Sequence, residues 1–144
     1  MSTNDSPAEV VAQYLIDAGV GEAPEDADPT WPVHPTEVPD NTKDDCIGVI
    51  DTSGIKDGRY ISQVVFHQGL MIYIRAKKHS VGYAKAREIQ TALDNVKNTT
   101  VTLAGDDYVL KTATRMGTTI PIGRDDEGRR QWTMNLIATM DDPP

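Results

Sequence analysis

From Arg130 to Met140 the chain alternates. Trp132, Met134, Leu136, Ala138 and Met140 share one parity, Gln131, Thr133, Asn135 and Thr139 the other, and Ile137 breaks the pattern. Successive side chains of a strand point to opposite faces, so a period of two predicts a half-buried strand. Gln68 to Lys77 alternates in the same way, with Leu70, Ile72, Ile74 and Ala76 expected inward and Met71, Tyr73, Arg75 and Lys77 outward. Cys46 to Asp51 is a short apolar run, as expected of a central strand. Thr99–Ala104 and Tyr108–Arg115 are two β-rich runs, and Gly105-Asp106-Asp107 between them is a hairpin signal.

A helical period governs two other segments. Ala8, Val11, Ala12, Leu15 and Ala18 form one apolar stripe over about residues 7–18. Ser6 is placed to cap that helix, and Glu9 completes a capping box. Pro7 takes the first turn, where no N–H is needed, and Gly19 is the natural stop. Ser80 is expected to cap a second helix running to about Val96. Its buried face would carry Val81, Ala84, Ile89, Ala92, Leu93 and Val96, leaving Lys85, Arg87, Glu88 and Asp94 solvated. The order α-β-β-α-β-β-β predicts an α+β fold: a mostly antiparallel four- or five-stranded sheet with two helices packed on one face.

Two stretches fit neither period. Residues 20–44 hold Pro24, Pro29, Pro32, Pro35 and Pro39 among acids and threonines. Proline fixes φ and removes a donor, which excludes helix and central strand. This leaves either a flexible linker or an extended segment pinned by the indole of Trp31. Residues 52–66, with Ser53-Gly54 and Asp57-Gly58, are expected to form a mobile loop bearing Lys56 and Arg59.

At 144 residues and 15.8 kDa the chain is expected to be a single domain, 1–144, with an extended Pro/Asp-rich segment at 20–44. A net charge of -8 and a pI near 4.7 argue against binding that tracks nucleic-acid phosphates, which needs clustered Lys and Arg. They leave open a surface past which DNA slides. One cysteine, Cys46, forbids an internal disulfide and, inside an apolar run, is expected to be inert packing. The polar N-terminus predicts no signal peptide, and no apolar run approaches the roughly 20 residues a membrane helix needs. A cytosolic, soluble protein is expected.

Candidate chemistry is sparse. His34, His67 and His79 lie far apart, without ligand spacing. Asp125-Asp126-Glu127-Gly128 lacks the alternating acids of a calcium loop. Neither a phosphate-cradling glycine loop nor a Gly-x-Ser-x-Gly elbow occurs. No metal site or cofactor is therefore expected, and a carboxylate pair among the 22 acids stays open, with none singled out.

One charged stretch survives. Gly123 and Gly128 bracket a loop in which Arg124, Arg129 and Arg130 flank Asp125, Asp126 and Glu127. It is either a solvated loop of self-cancelling charge, with exposed pairs contributing about 0–1 kcal/mol, or a subunit contact made by guanidinium forks. With Arg59 and the outward Arg75, these residues are the candidate partner interface.

Several segments, taken in order, carry a resemblance: Val10-Val11-Ala12-Gln13-Tyr14-Leu15, Trp31-Pro32-Val33, Val38-Pro39-Asp40, and Ile47 through Gly54. Gln68 through Arg75, Tyr83-Ala84-Lys85-Ala86, and Ile122 through Arg129 with the strand ending Met134-Asn135-Leu136 complete the series. Together they resemble the tail-terminator or minor capsid (tail-to-head joining) proteins of long-tailed bacteriophages. The departure from the family is the long segment 20–44.

The resemblance implies an α+β virion subunit, made in the host cytoplasm, that assembles with itself as a ring, typically a homo-hexamer. Such a ring caps the head-proximal end of the tail tube, ends tube polymerisation and offers a joining surface to the head. Its implied partners are the tail-tube protein and the head connector or neck protein. DNA would pass through the lumen without specific binding, no membrane is involved, and no reaction is catalysed: the resemblance implies a protein that is not an enzyme and has no catalytic residue. Two alternatives stand beside it: a head-completion or neck protein on the portal side, and a small ligand-binding α+β domain using Trp31–Asp45 as a lid.

Overall fold

The computed structural model describes residues 6–35, 38–39, 43–52, 55–57 and 65–141. Helix α1 spans Pro7–Asp17 and α2 spans His79–Asp94. The strands are β1 (Val33–His34), β2 (Cys46–Asp51), β3 (Ile55–Asp57), β4 (Val65–Ala76), β5 (Thr99–Leu103), β6 (Asp106–Arg115), β7 (Ile120–Arg124) and β8 (Arg130–Asp141).

Both helices form where expected, but α2 is turned about its axis: the Trp132 ring packs against Gly82, so Gly82, Ala86, Ile89 and Leu93 are buried, and Val81 and Ala84, expected inward, are exposed. Ser6 caps α1, its hydroxyl accepting from the Glu9 amide at 3.2 Å. Helix α2 starts one residue before the expected serine. Its N-cap is Lys78, with no side-chain bond, so Ser80 lies inside the first turn and caps nothing.

The fold is α+β, but the sheet is larger than expected and mixed. Eight strands share it in the order β1-β2-β4-β8-β6-β5, with β3 on β4 and β7 on β8. Strand β1 runs parallel to β2, and the remaining pairs are antiparallel. The chain order is therefore α-β-β-β-β-α-β-β-β-β. The additional strands are β1, β3 and β7, at 2, 3 and 5 residues too short to show a period. Of the expected 52–66 loop, Ile55–Asp57 is strand, and 53–54 and 58–64, with Arg59, lie outside the described residues.

Strand β8 is the spine. Strand β4 pairs with it from Val65↔Asp141 to Ala76↔Arg130, while its other edge takes β6 and then β7. The expected parity holds. Trp132, Met134, Leu136, Ala138 and Met140 are buried, opposite the buried Leu70, Ile72 and Ile74 of β4. Helix α1 adds Ala8, Val10, Val11, Ala12 and Leu15 to this core, and α2 adds Ala86, Ile89 and Leu93. Helix α1 touches β1 and β2 near one end of the sheet and β5 at the other, so the sheet curls around it. The Tyr14 hydroxyl donates to the Ala92 carbonyl at 2.5 Å and ties the two helices together.

Segment 20–44, expected to be extended, is mostly turns where described: residues 24–28 bend back, the Asp26 amide donating to Ala23 O at 3.1 Å, and only Val33–His34 is strand. The Glu22 amide donates to Trp31 O at 3.2 Å and the Val33 amide to Glu22 O at 2.9 Å, closing a loop whose end enters the sheet as β1. Trp31 is half-buried against the core, with Lys85 Nζ 5.1 Å from its ring centroid. A Cβ at Gly21 would stand 2.4 Å from Trp31 O, so only glycine permits this close approach.

A second glycine sets the seat of α2. A Cβ at Gly82 would lie 2.2 Å from Cζ3 of the buried Trp132. Gly82→Ala gains about 1 kcal/mol of helix propensity but overpacks a site that cannot give, at about 1–3 kcal/mol. We expect a net loss of stability, read as a lower urea midpoint. A midpoint at or above wild type would show that Trp132 yields.

Candidate functional site

The glycine-bounded loop is a built turn between β7 and β8. Its amides close it: Asp125 N donates to Arg129 O at 2.9 Å and Gly128 N to Asp125 O at 3.0 Å. The Asp125 carboxylate fills the turn. Oδ1 accepts from the Glu127 amide at 3.0 Å and the Arg129 amide at 2.9 Å, and Oδ2 from Arg129 Nε at 2.7 Å. Gly123 and Gly128 sit at φ 96° and 78°, a region costly for residues with a Cβ.

The loop does not offer all its arginines outward. Arg129 is only 5% exposed, and its guanidinium also meets Glu127 Oε2 at 3.3 Å and Asp44 Oδ1 at 3.6 Å. Burial works against its charge, and Asp125, Glu127 and Asp44 more than restore it. Arg75, expected outward, is 2% exposed. It donates from Nη2 to Lys43 O at 2.9 Å and from Nε to Asp44 O at 3.4 Å. The outward face of β4 is covered here by residues 43–45, which arithmetic on strand parity cannot see. Both arginines hold that segment down. Tyr73, beside them, donates to Gln131 Oε1 at 2.6 Å.

The remaining candidates differ. Arg124, Asp126 and Glu127 are exposed, and Arg130 is half-buried. Arg59 lies outside the described residues. Cys46 is buried, and burial first of all pushes its thiol up to about 11, where it stays protonated and unreactive at neutral pH.

Asp125 makes the turn sensitive to acid. Burial pushes its carboxyl up, but the Arg129 and Glu127 amides and the Arg129 guanidinium pull it further down, to a net value below the usual 3.8. A depressed folded value means the linked stability is fully present above the unfolded value and is lost as pH falls through the folded one. Asp125→Asn should therefore be less stable than wild type near neutrality, with the gap closing below about pH 4. A gap of constant size from about pH 7 to pH 2 would show that the carboxylate charge is irrelevant.

The apolar edge beside the turn is not among the residues that the charge pattern marks. Strand β7 is exposed throughout, with Ile120 and Ile122 near half exposure. Met116, Val81 and Tyr83 complete the exposed large hydrophobics among the described residues. Of these, Tyr83 connects to β7 through two rings. Pro121 pairs with Trp132, whose ring lies 5.7 Å from that of His79, itself 6.2 Å from Tyr83. His79, Pro121, Arg124 and Arg130 line a hollow of about 170 Å³ at this edge. The available signal was Ile120-Pro121-Ile122, since a proline in a β-rich run marks an edge strand.

Among the described residues no cluster of His, Cys, Asp or Glu could hold a metal ion. A rigid charged turn and, beside it, an exposed strand edge reach solvent. The model of the bacteriophage tail terminator protein family matches residues 14–142, and the chain belongs to that family. Its role is accordingly that of a structural component of the phage tail. No curated protein matches the chain. No described helix is long and apolar enough to cross a membrane.

Proposed function

We propose that the chain closes into a ring, typically of six copies, on the head-proximal end of the tail tube. There it ends tube polymerisation and presents a surface to the head connector. The mechanism is capping. One face of the ring matches the tube end, and the opposite face is no template for further tube. A heterologous contact that closes on itself leaves no open end, so growth stops. The net charge of -8 supports a lumen past which DNA slides, because like charge keeps phosphates from sticking.

The observation that carries this reading is the locked turn. Asp125 and Arg129 fix its backbone, so Arg124, Asp126 and Glu127 are held out to a partner without an ordering cost at contact. The test is a phage whose gene for this chain is deleted. Electron micrographs should show full heads lying apart from overlong tails, with both defects cured by wild-type protein. Tails of normal length in the deletion would reject the terminator role.

A further inference from the structure

Two surfaces of this chain complement each other and share no residue. One is the β7 edge, with Ile120 and Ile122 exposed and Arg124 exposed beside them. The other is a groove of about 140 Å³ between α1, residues 23–25 and the end of β5, floored by Ala12, Ile16, Pro24 and Leu103. Glu9 and Glu25 rim it, with the exposed Asp17 and Asp26 close by.

We propose that the β7 edge of one subunit docks into the α1 groove of a second copy, forming the repeating contact of the ring. The proposal rests on the ring reading above and adds which two surfaces meet. Three observations converge on a second copy as the occupant. The knob is aliphatic, and the groove floor is aliphatic at the scale of a side chain. The knob carries arginine, and the groove rim carries carboxylates, in a chain otherwise strongly acidic. The two surfaces are distinct, so the contact is head-to-tail, the type that generates closed rings. Among the described strands β7 pairs with β8 alone.

The geometry explains why the turn is locked. Arg129 and Asp125 bond to each other within the subunit, so the adjacent Ile122–Arg124 stretch arrives at its partner already shaped. The free subunit keeps the apolar edge soluble through Pro121, which breaks edge pairing, and through Arg124 and Arg130 beside it.

Two variants of the full chain test the pairing. The knob variant carries Ile120→Asp and Ile122→Asp. The groove variant carries Glu9→Lys, Glu25→Lys and Asp26→Lys. All five positions lie at least partly open to solvent, so melting curves should stay near that of wild type and serve as the folding control. In light scattering and electron microscopy, wild type should form rings when concentrated. Each variant alone should need at least tenfold higher concentration to associate.

The mixture decides the matter. The knob variant keeps a working groove and the groove variant a working edge, so an equimolar mixture should form dimers and stop there. A mixture that stays monomeric, or a knob variant that forms rings as readily as wild type, overturns this pairing and leaves the ring reading standing. Wild type that stays monomeric at every concentration and on tube ends overturns both.

Discussion

Replacing Arg129 with Glu is expected to destabilise the folded subunit by about 3 kcal/mol, while Arg124→Glu in the same loop changes stability by no more than about 0.5 kcal/mol. From the sequence the two arginines look equivalent, each next to a run of acids, and both would be judged safe to reverse. In the fold they are not. Arg124 is exposed, whereas Arg129 is 5% exposed and surrounded by Asp125, Glu127 and Asp44. Reversal buries a fourth negative charge among three. Removing one partner of a buried pair costs about 3–5 kcal/mol, and the value here sits at the low end because Asp44 and Glu127 are half exposed or more. A loss of this size should lower the melting temperature by roughly 6–12 °C for a chain of this length. Equal melting temperatures for the two variants would return Arg129 to the surface. The double reversal is therefore a poor probe of assembly, and Arg124→Glu alone is the clean one.

The other large effect lies in the core. Met134→Asp should prevent folding at ordinary temperature. Met134 is 1% exposed on β8, facing Ile72 of β4 across the ladder. Of the buried cations among the described residues, Arg75 has the other parity of β4 and Arg129 sits in the β7–β8 turn, so the carboxylate must either stay charged without a partner or bind a proton at neutral pH. Either route costs several kcal/mol, comparable with the whole stability of a domain of ordinary size. Circular dichroism of the variant should show loss of the cooperative melt. A cooperative transition within a few degrees of wild type would mean the β8 register is wrong by one residue, since a slip of one exchanges the two faces.

The periodic parts of the molecule were legible because burial writes a period into the chain. Strands β4 and β8, with 12 residues each, show it plainly, as does α1 with its cap. The hairpin was found but placed slightly late. The turn is at Ala104-Gly105, φ 52° and 85°, and Asp106 and Asp107 already belong to β6. Alanine rarely adopts positive φ, so its part in the turn carried no compositional signal. The short strands were invisible for the reason already given, and they are what turn four or five strands into eight. The site was half legible. Charge flagged the right loop, but burial of Arg75 and Arg129 depends on residues 43–45 crossing over them, a long-range event with no local trace. The Ile120 and Ile122 edge carries no such mark, since two apolar side chains three and five residues before Asp125, in a strand of 5 residues, form no period of their own.

Because β4 meets β8 only after α2, β5, β6 and β7 have been brought round, the two longest strands spend the search for the native state without each other. Closing loops of that size before any ladder forms is slow, and folding in the millisecond-to-second range is expected from such long-range pairing. Throughout that time the apolar face of β4 is bare, and nascent subunits at high concentration can join one another through it instead of maturing. Yield on overproduction should accordingly respond to temperature and expression rate more than to the stability of the finished molecule. A culture grown cool and slowly favours the soluble subunit.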